Sequence, residues 1–207
     1  MKNIFRFFSK YSRITCNVNG FLLIAGGLTV FTVDKISTKT VEYDAARALT
    51  KAQELMPDRV DLYPEERSKD YMPAMEIEGL NIAGIIDLPD QGYKAVFRST
   101  WDADHARALP CRYTGSVYNR TLVIGAYGGA GQFDFAHRLE AGQTLYVTDM
   151  EGGRYRYAIE RIEHAKRINE KKLTSGDWDL TVFVKQTSGE YLLIRCGVKP
   201  VGSGIEG

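Results

Sequence analysis

Cysteine is scarce in this chain and poorly spaced for chemistry: its 207 residues include three, Cys16, Cys111 and Cys196, with no CxxC pair among them. That spacing excludes a zinc finger and a disulfide-dense secreted module, and it allows one bridge at most. An excess of either charge is missing too. With 27 Lys+Arg against 26 Asp+Glu the net charge is +1, so the bulk charge carries no footprint of nucleic-acid binding. Repeats of 20–50 residues and low-complexity tracts are absent, which excludes solenoids and propellers. What remains is an ordinary globular composition, 44% hydrophobic, 11% aromatic and 26% charged, enough for one core.

The even charge balance hides an uneven distribution. Residues 1–33 carry Lys2, Arg6, Lys10 and Arg13 and no acid. The basic flank, residues 1–13, leads into an uncharged apolar stretch of 16 residues (18–33), or 20 if counted from Ile14. As a helix the shorter count spans ~24 Å and the longer ~30 Å, the latter matching the hydrocarbon core of a bilayer. No small-x-small cleavage site follows, and Asp34, Lys35 and Lys39 close the segment. Residues 14–33 are therefore expected to be an uncleaved, single-pass signal anchor in the cell membrane. The positive flank puts the carboxy-terminal bulk on the extracytoplasmic side. A buried core helix is the alternative reading of the same stretch.

Residues 40–56 (TVEYDAARALTKAQELM) set Val41, Ala45, Leu49 and Leu55 at roughly helical spacing and read as a juxtamembrane helix. Residues 57–73 hold Pro57, Pro64 and Pro73 among eight charged groups, the composition of a linker. Residues 34–74 thus lead onto a domain spanning 75–200, with a small flexible tail at 201–207. In that domain short apolar runs alternate with turn signals, at 82–86, 95–97, 121–124, 144–147, 155–162, 180–184 and 191–195. Helical patterns are short, at 102–108 and 133–139. The expected class is mainly β, a closed or sandwiched sheet with short helices.

The richest local signal is 121–131 (TLVIGAYGGAG), a strand running into four glycines, which suggests a phosphate cradle. Gly125, Gly129 and Gly131 have GxxxGxG spacing, and Asp149 ends a later strand about where a ribose-binding acid would lie. Against that, GxGxxG fails at Tyr127 and Ala130, and no YxxxK occurs. Only 76 residues follow Gly131, too few for the rest of a dinucleotide-binding sheet.

The same loop fits a different pattern when read with the last two strands. One ends in Leu180-Thr181-Val182-Phe183-Val184-Lys185, the other in Leu192-Leu193-Ile194-Arg195. This order resembles the sortases, where a strand ends in Gly-His, a later strand ends in Thr-Leu-x-Thr-Cys, and the next supplies an Arg. The resemblance covers about residues 75–199. Residues 75–88 (MEIEGLNIAGIIDL) are similar to the first barrel strand, with an Ile-x-x-Leu-x-Ile spacing. Residues 113–124 (YTGSVYNRTLVI) and the glycine-rich turn before Phe135 look closest to the class B subgroup. The resemblance implies a sortase-like closed β-barrel with short helices, preceded by the membrane-anchor helix.

It also implies where the working residues would stand. Arg195 takes the place of the substrate-aligning, oxyanion-stabilising Arg, a fixed cation with several donors. Tyr127, after Ile124-Gly125-Ala126, takes the place of the His, and Lys185 that of the Cys, with Val184 where the family has Thr. A phenol and an alkyl ammonium, whose ordinary pKa values lie near ~10, do not replace an imidazole and thiol pair at neutral pH. Cysteine acyl-enzyme chemistry is therefore expected to be lost unless another thiol serves. Cys196 adjoins Arg195 and should face away from it on a strand. Cys111 follows His105 by six residues and could pair with it, or be a packing thiol.

Asp102, Asp104 and His105 hint at a metal but fit a solvated helix start as well. His137 and His164 read as surface residues, and 166–172 (KRINEKK) as a solvated loop whose cations attract anions weakly. No cofactor and no metal are expected.

If Thr181, Phe183 and Lys185 share one strand face and Leu193 and Arg195 share the next, Lys185 and Arg195 come close beside Tyr127. The expectation is a catalytically degenerate, membrane-anchored, extracytoplasmic module. It would bind a peptide, such as a sorting-signal-like segment of a surface protein, or another anion, in cell-surface protein assembly. Two alternatives stay open: an active sortase-type cysteine transpeptidase of cell-wall anchoring or pilus assembly using Cys111 or Cys196, and a dinucleotide enzyme.

Overall fold

The computed structural model describes residues 45–64, 71–129 and 132–200, all within one compact unit. The expected signal anchor lies outside the described residues. Among the described residues no helix is long and apolar enough to cross a membrane.

The first described element is a helix, α1, over residues 45–55. Ala45, Ala48, Leu49 and Ala52 fall at i, i+3, i+4 and i+7, so small side chains line one face. That face packs on Ile77, Ile82, Ile85 and Val96, and Ala48 and Ala52 are fully buried. Pro57, which lacks an N–H and disfavours helix in the residue before it, ends the run. The strands are β1 (Val60–Asp61), β2 (Met75–Ile77), β3 (Leu80–Leu88), β4 (Tyr93–Arg98) and β5 (Cys111–Thr114). They continue with β6 (Leu122–Tyr127), β7 (Thr144–Asp149), β8 (Gly153–Ala165), β9 (Leu180–Lys185) and β10 (Tyr191–Val198), with a short helix, α2 (Glu170–Thr174), before β9.

Following the pairings from β8 through β10, β9, β6, β5, β4, β3 and β7 returns to β8, so eight strands close a barrel. β1 adds to the barrel beside β8 in parallel, and β2 beside β3. Closure turns on β3, which pairs β4 on one side and β7 on the other. At Gly84 a Cβ would lie 2.3 Å from the Thr148 carbonyl oxygen and 2.8 Å from the Phe97 ring, so only glycine lets β7 approach there.

Period-two alternation fills the interior: Leu122, Ile124 and Ala126 from β6, Leu180, Val182 and Val184 from β9, Leu192, Ile194 and Cys196 from β10. Each large one buried contributes about 1.5–3 kcal/mol. Tyr93, Phe133 and Phe135 pack at ring separations of 4.9–5.3 Å against this core. The β7–β8 turn is held by a buried carboxylate. Asp149 accepts the backbone N–H groups of Glu151 (2.9 Å) and Gly153 (2.8 Å) and the hydroxyls of Tyr118 (2.9 Å) and Tyr155 (3.2 Å). Burial first and Asp149 second push the Tyr118 phenol well above its ordinary pKa, keeping it a donor.

The strand expectations hold, with most strands a few residues longer. The segments 102–108 and 133–139, expected as helices, are 3-10 turns at His105–Arg107 and Asp134–Arg138. The KRINEKK segment, expected as a loop, leads into α2: Asn169 caps it by accepting the Lys172 N–H at 2.8 Å.

Candidate functional site

β6 and β9 run parallel and β10 returns antiparallel, so the ends of the first two meet the start of the third. The register sets Tyr127 opposite Lys185, and Lys185 opposite Tyr191. The residues between the core positions point out of the barrel. On that outer face Val123, Phe183, Leu193 and Leu173 form a second apolar cluster, joined by the partly buried Trp101, Tyr113, Ile168 and Tyr191.

A cleft of about 140 Å³ opens over this cluster, walled by Trp101, Tyr113, Phe183, Tyr127, Tyr191 and the side chain of Lys185. Trp101, Tyr113 and Phe183 pack on one another at ring separations of 5.1–5.9 Å. Gly125 makes this possible: a Cβ there would meet Trp101 at 2.2 Å and Phe183 at 2.4 Å. Lys185 is half-buried, and its Nζ sits 5.6 Å from the Tyr127 ring centroid. The exposed Arg107 guanidinium lies at the same distance from that ring. Each is a cation–π contact, and neither cation has a carboxylate in ion-pair range among the described residues.

The far wall of the cleft comes from the segment between β8 and β9, through Ile168, Asn169 and Leu173. Arg195 fastens it. Its guanidinium donates to the carbonyls of Lys172 (2.7 Å) and Leu173 (3.0 Å) and to the Thr181 hydroxyl (3.0 Å), with Glu163 at 3.7 Å. Arg195 is only 2% exposed, and burial pulls its pKa down against the support of Glu163. Beyond Leu173 a second cavity of about 360 Å³ continues along β6 and β9, lined by Thr121, Thr174, Ser175 and Thr181 and flanked by the Arg120–Asp179 pair.

Of the residues singled out in the sequence, Tyr127 and Lys185 come together and Arg195 does not join them. Arg195 pairs with Thr181, four residues along β10 from Tyr191, or ~13 Å at strand rise. The expected closeness of Lys185 and Arg195 is thus corrected by the register. Sequence reasoning missed Tyr191, and a signal for it was present. In an antiparallel hairpin the residue facing Lys185 lies as far past the turn as Lys185 lies before it, and Thr187-Ser188-Gly189 marks that turn.

Neither described thiol reaches the cleft. Cys196 faces the barrel core, opposite to Arg195 as strand alternation requires, and burial pushes its pKa far up. Cys111 is buried with its Sγ 3.4 Å from the Leu109 carbonyl, and burial pushes that thiol up too. His105 sits exposed against Asp102 at 3.2 Å. Asp102 accepts the backbone N–H groups of His105 (3.0 Å) and Asp104 (2.9 Å), which hold its carboxyl below the ordinary range. His137 donates to the Asp134 carbonyl, and His164 is exposed on β8. Groups of three or more metal-ligating side chains are absent among the described residues.

After β6 the chain passes to the Asp134–Arg138 turn, and β6 is a stave of a closed barrel, not part of an open α/β sheet. The helix terminus that a dinucleotide site needs does not follow the glycines among the described residues, and that reading falls.

No protein-family model matches the chain, and no curated protein matches it. Solved structures do. Sortase C1 from Streptococcus agalactiae has a TM-score of 0.52 at 16% identity, covering 61% of this chain and 72% of that one. Sortase C1 from Streptococcus suis has 0.50 at 17%, covering 59% and 75%. A lid mutant of sortase A from Corynebacterium diphtheriae has 0.50 at 16%, covering 59% and 72%. This likeness establishes the fold, a mainly β, sortase-like closed barrel with few helices.

Proposed function

We propose that this chain is a membrane-anchored, extracytoplasmic binding protein that uses a sortase fold without cysteine chemistry. It takes up an extended peptide, a sorting-signal-like segment of a surface protein, in cell-surface protein assembly. The observation that carries this reading is the in-register trio Tyr127, Lys185 and Tyr191 at the ends of β6 and β9 and the start of β10. Tyr127 and Lys185 stand where the resemblance puts the base and the nucleophile. The residue facing them on the next strand is a third group with no acyl-transfer chemistry. An acyl-transfer site needs a nucleophile within hydrogen-bond reach of its base. Here the described thiols are buried elsewhere, and Arg195 is committed to holding α2.

What the trio does offer is recognition. An aromatic-walled cleft of about 140 Å³ accepts one apolar side chain. The cavity beyond Leu173, lined by the hydroxyls of Thr121, Thr174 and Ser175 and by Asp177 and Asp179, accepts the adjoining main chain. Residues 14–33 supply the anchor in this reading, and the basic residues 1–13 its orientation.

The test is a titration of the purified full chain with sorting-signal-like peptides. The readout is the fluorescence of its two tryptophans, Trp101 in the cleft and Trp178 at the second cavity, with chromatography of the peptide afterwards. Saturable quenching with the peptide recovered intact is the expected result. Peptide turnover, or the absence of binding across the panel, would contradict the reading.

A further inference from the structure

Resting on that reading, we infer that the bound peptide enters with its carboxy-terminal end first, and that Lys185 seats its free carboxylate while its last, apolar side chain fills the cleft. Two independent features support this seat. First, the half-buried Lys185 ammonium lines the cleft 5.6 Å from the Tyr127 ring centroid and is not neutralised by a carboxylate among the described residues. A half-buried ammonium held over a ring face, with aromatic rings in place of much of its water, favours an anionic partner.

Second, the surroundings are positive. The cleft lining contains no Asp or Glu. The segment that supplies Ile168 and Asn169 to the wall carries Lys166, Arg167, Lys171 and Lys172 against the single acid Glu170. Clustered cations of this kind raise the local concentration of an anionic chain end before contact.

The polarity of the ligand follows from the two cavities. The cation end abuts the aromatic cleft, and the cleft reaches the hydroxyl-lined cavity at Leu173, which lines both. A carboxylate at Lys185 therefore lays a terminal apolar side chain over Trp101, Tyr113 and Phe183. The preceding residues run toward Thr121, Thr174 and Ser175. An internal peptide segment has no anion to offer at that point.

The experiment compares an acetylated tetrapeptide ending in Phe as the free acid and as the carboxy-terminal amide. It is run by calorimetry on the full chain, on Lys185→Met and on Lys185→Arg, with 3-phenylpropionate as competitor. The acid is expected to bind at least about tenfold tighter than the amide, the effect of one charge-assisted hydrogen bond. Lys185→Met should erase that ratio, Lys185→Arg should keep most of it, and 3-phenylpropionate should compete weakly. Equal binding of acid and amide to the unaltered chain would overturn the carboxylate seat and leave peptide recognition standing. Failure of both peptides to bind would overturn both. Competition by 3-phenylpropionate at the peptide's own affinity would overturn the peptide as occupant.

Discussion

The two faces of β6, β9 and β10 follow different rules although they share the same backbone. The inner face is uniformly apolar from Leu122 to Cys196 and nearly free of water. The outer face reads Val123, Gly125 and Tyr127, then Thr181, Phe183 and Lys185, then Tyr191, Leu193 and Arg195. It mixes a missing side chain, three large rings and two cations within nine positions. Along these strands the inner face is a close-packed apolar core that specifies a barrel, while outer residues such as Gly125, Lys185 and Arg195 have particular contacts. Fold and site are thus written largely into alternate residues of the same three segments, with Gly125 and Arg195 as outer residues that also hold the fold.

The largest effect is expected on the inner face. Ile124→Ala should lower the free energy of unfolding by about 2–5 kcal/mol, read by chemical denaturation, because it empties a fully buried position. Next comes the outer residue that behaves like an inner one. Arg195→Met leaves the carbonyls of Lys172 and Leu173 without their donor, and about 2 kcal/mol of destabilisation is expected. Limited proteolysis between residues 166 and 179 should accelerate with it. If Arg195→Met instead abolished binding with stability and proteolysis unchanged, Arg195 would belong to the recognition site. Gly125→Ala should cost about 1–2 kcal/mol and shift the Trp101 emission to the red, since the added methyl occupies the space of its ring.

A pair outside both faces calibrates the small end of the scale. Asp61 on β1 accepts from Arg154 on β8 at 3.0 Å, and that hydrogen bond holds its carboxyl below the ordinary carboxylate range. A depressed carboxylate stabilises the fold above its unfolded pKa, and the gain disappears as pH falls through the folded value. Acid titration below pH ~4 should therefore remove less than about 1 kcal/mol through this partly exposed pair, and Asp61→Asn should flatten that part of the curve. Lys185→Met should change stability least, within about 0.5 kcal/mol. It is also the substitution expected to change peptide binding most.

The inner face was legible because apolar residues every second position leave few alternatives once the strands are placed. Strand order across β9 and β10 was legible as well. The register was not, and the consequence fell on Arg195. A cation closing an apolar run looks like a site residue in one dimension. Its distance from Lys185 is set by the turn at Thr187-Ser188-Gly189, not by its place in the run. α2 escaped notice because KRINEKK has the composition of a solvated loop. Its five residues are held by the Asn169 cap and by Arg195, a tertiary contact with no local trace. Gly125 read as part of a phosphate loop because glycine spacing does not say whether the missing Cβ makes room for a ligand or for a tryptophan.

The most direct test of the central claim, that the outer face recognises and does not react, is the intact mass of the full chain after incubation with sorting-signal-like peptides and a thiol-reactive probe. The expected result is no peptide adduct, and Cys111 and Cys196 labelled only after unfolding, with probe on Cys16 assigned separately by peptide mapping. A peptide-dependent acyl adduct on either cysteine would contradict the account.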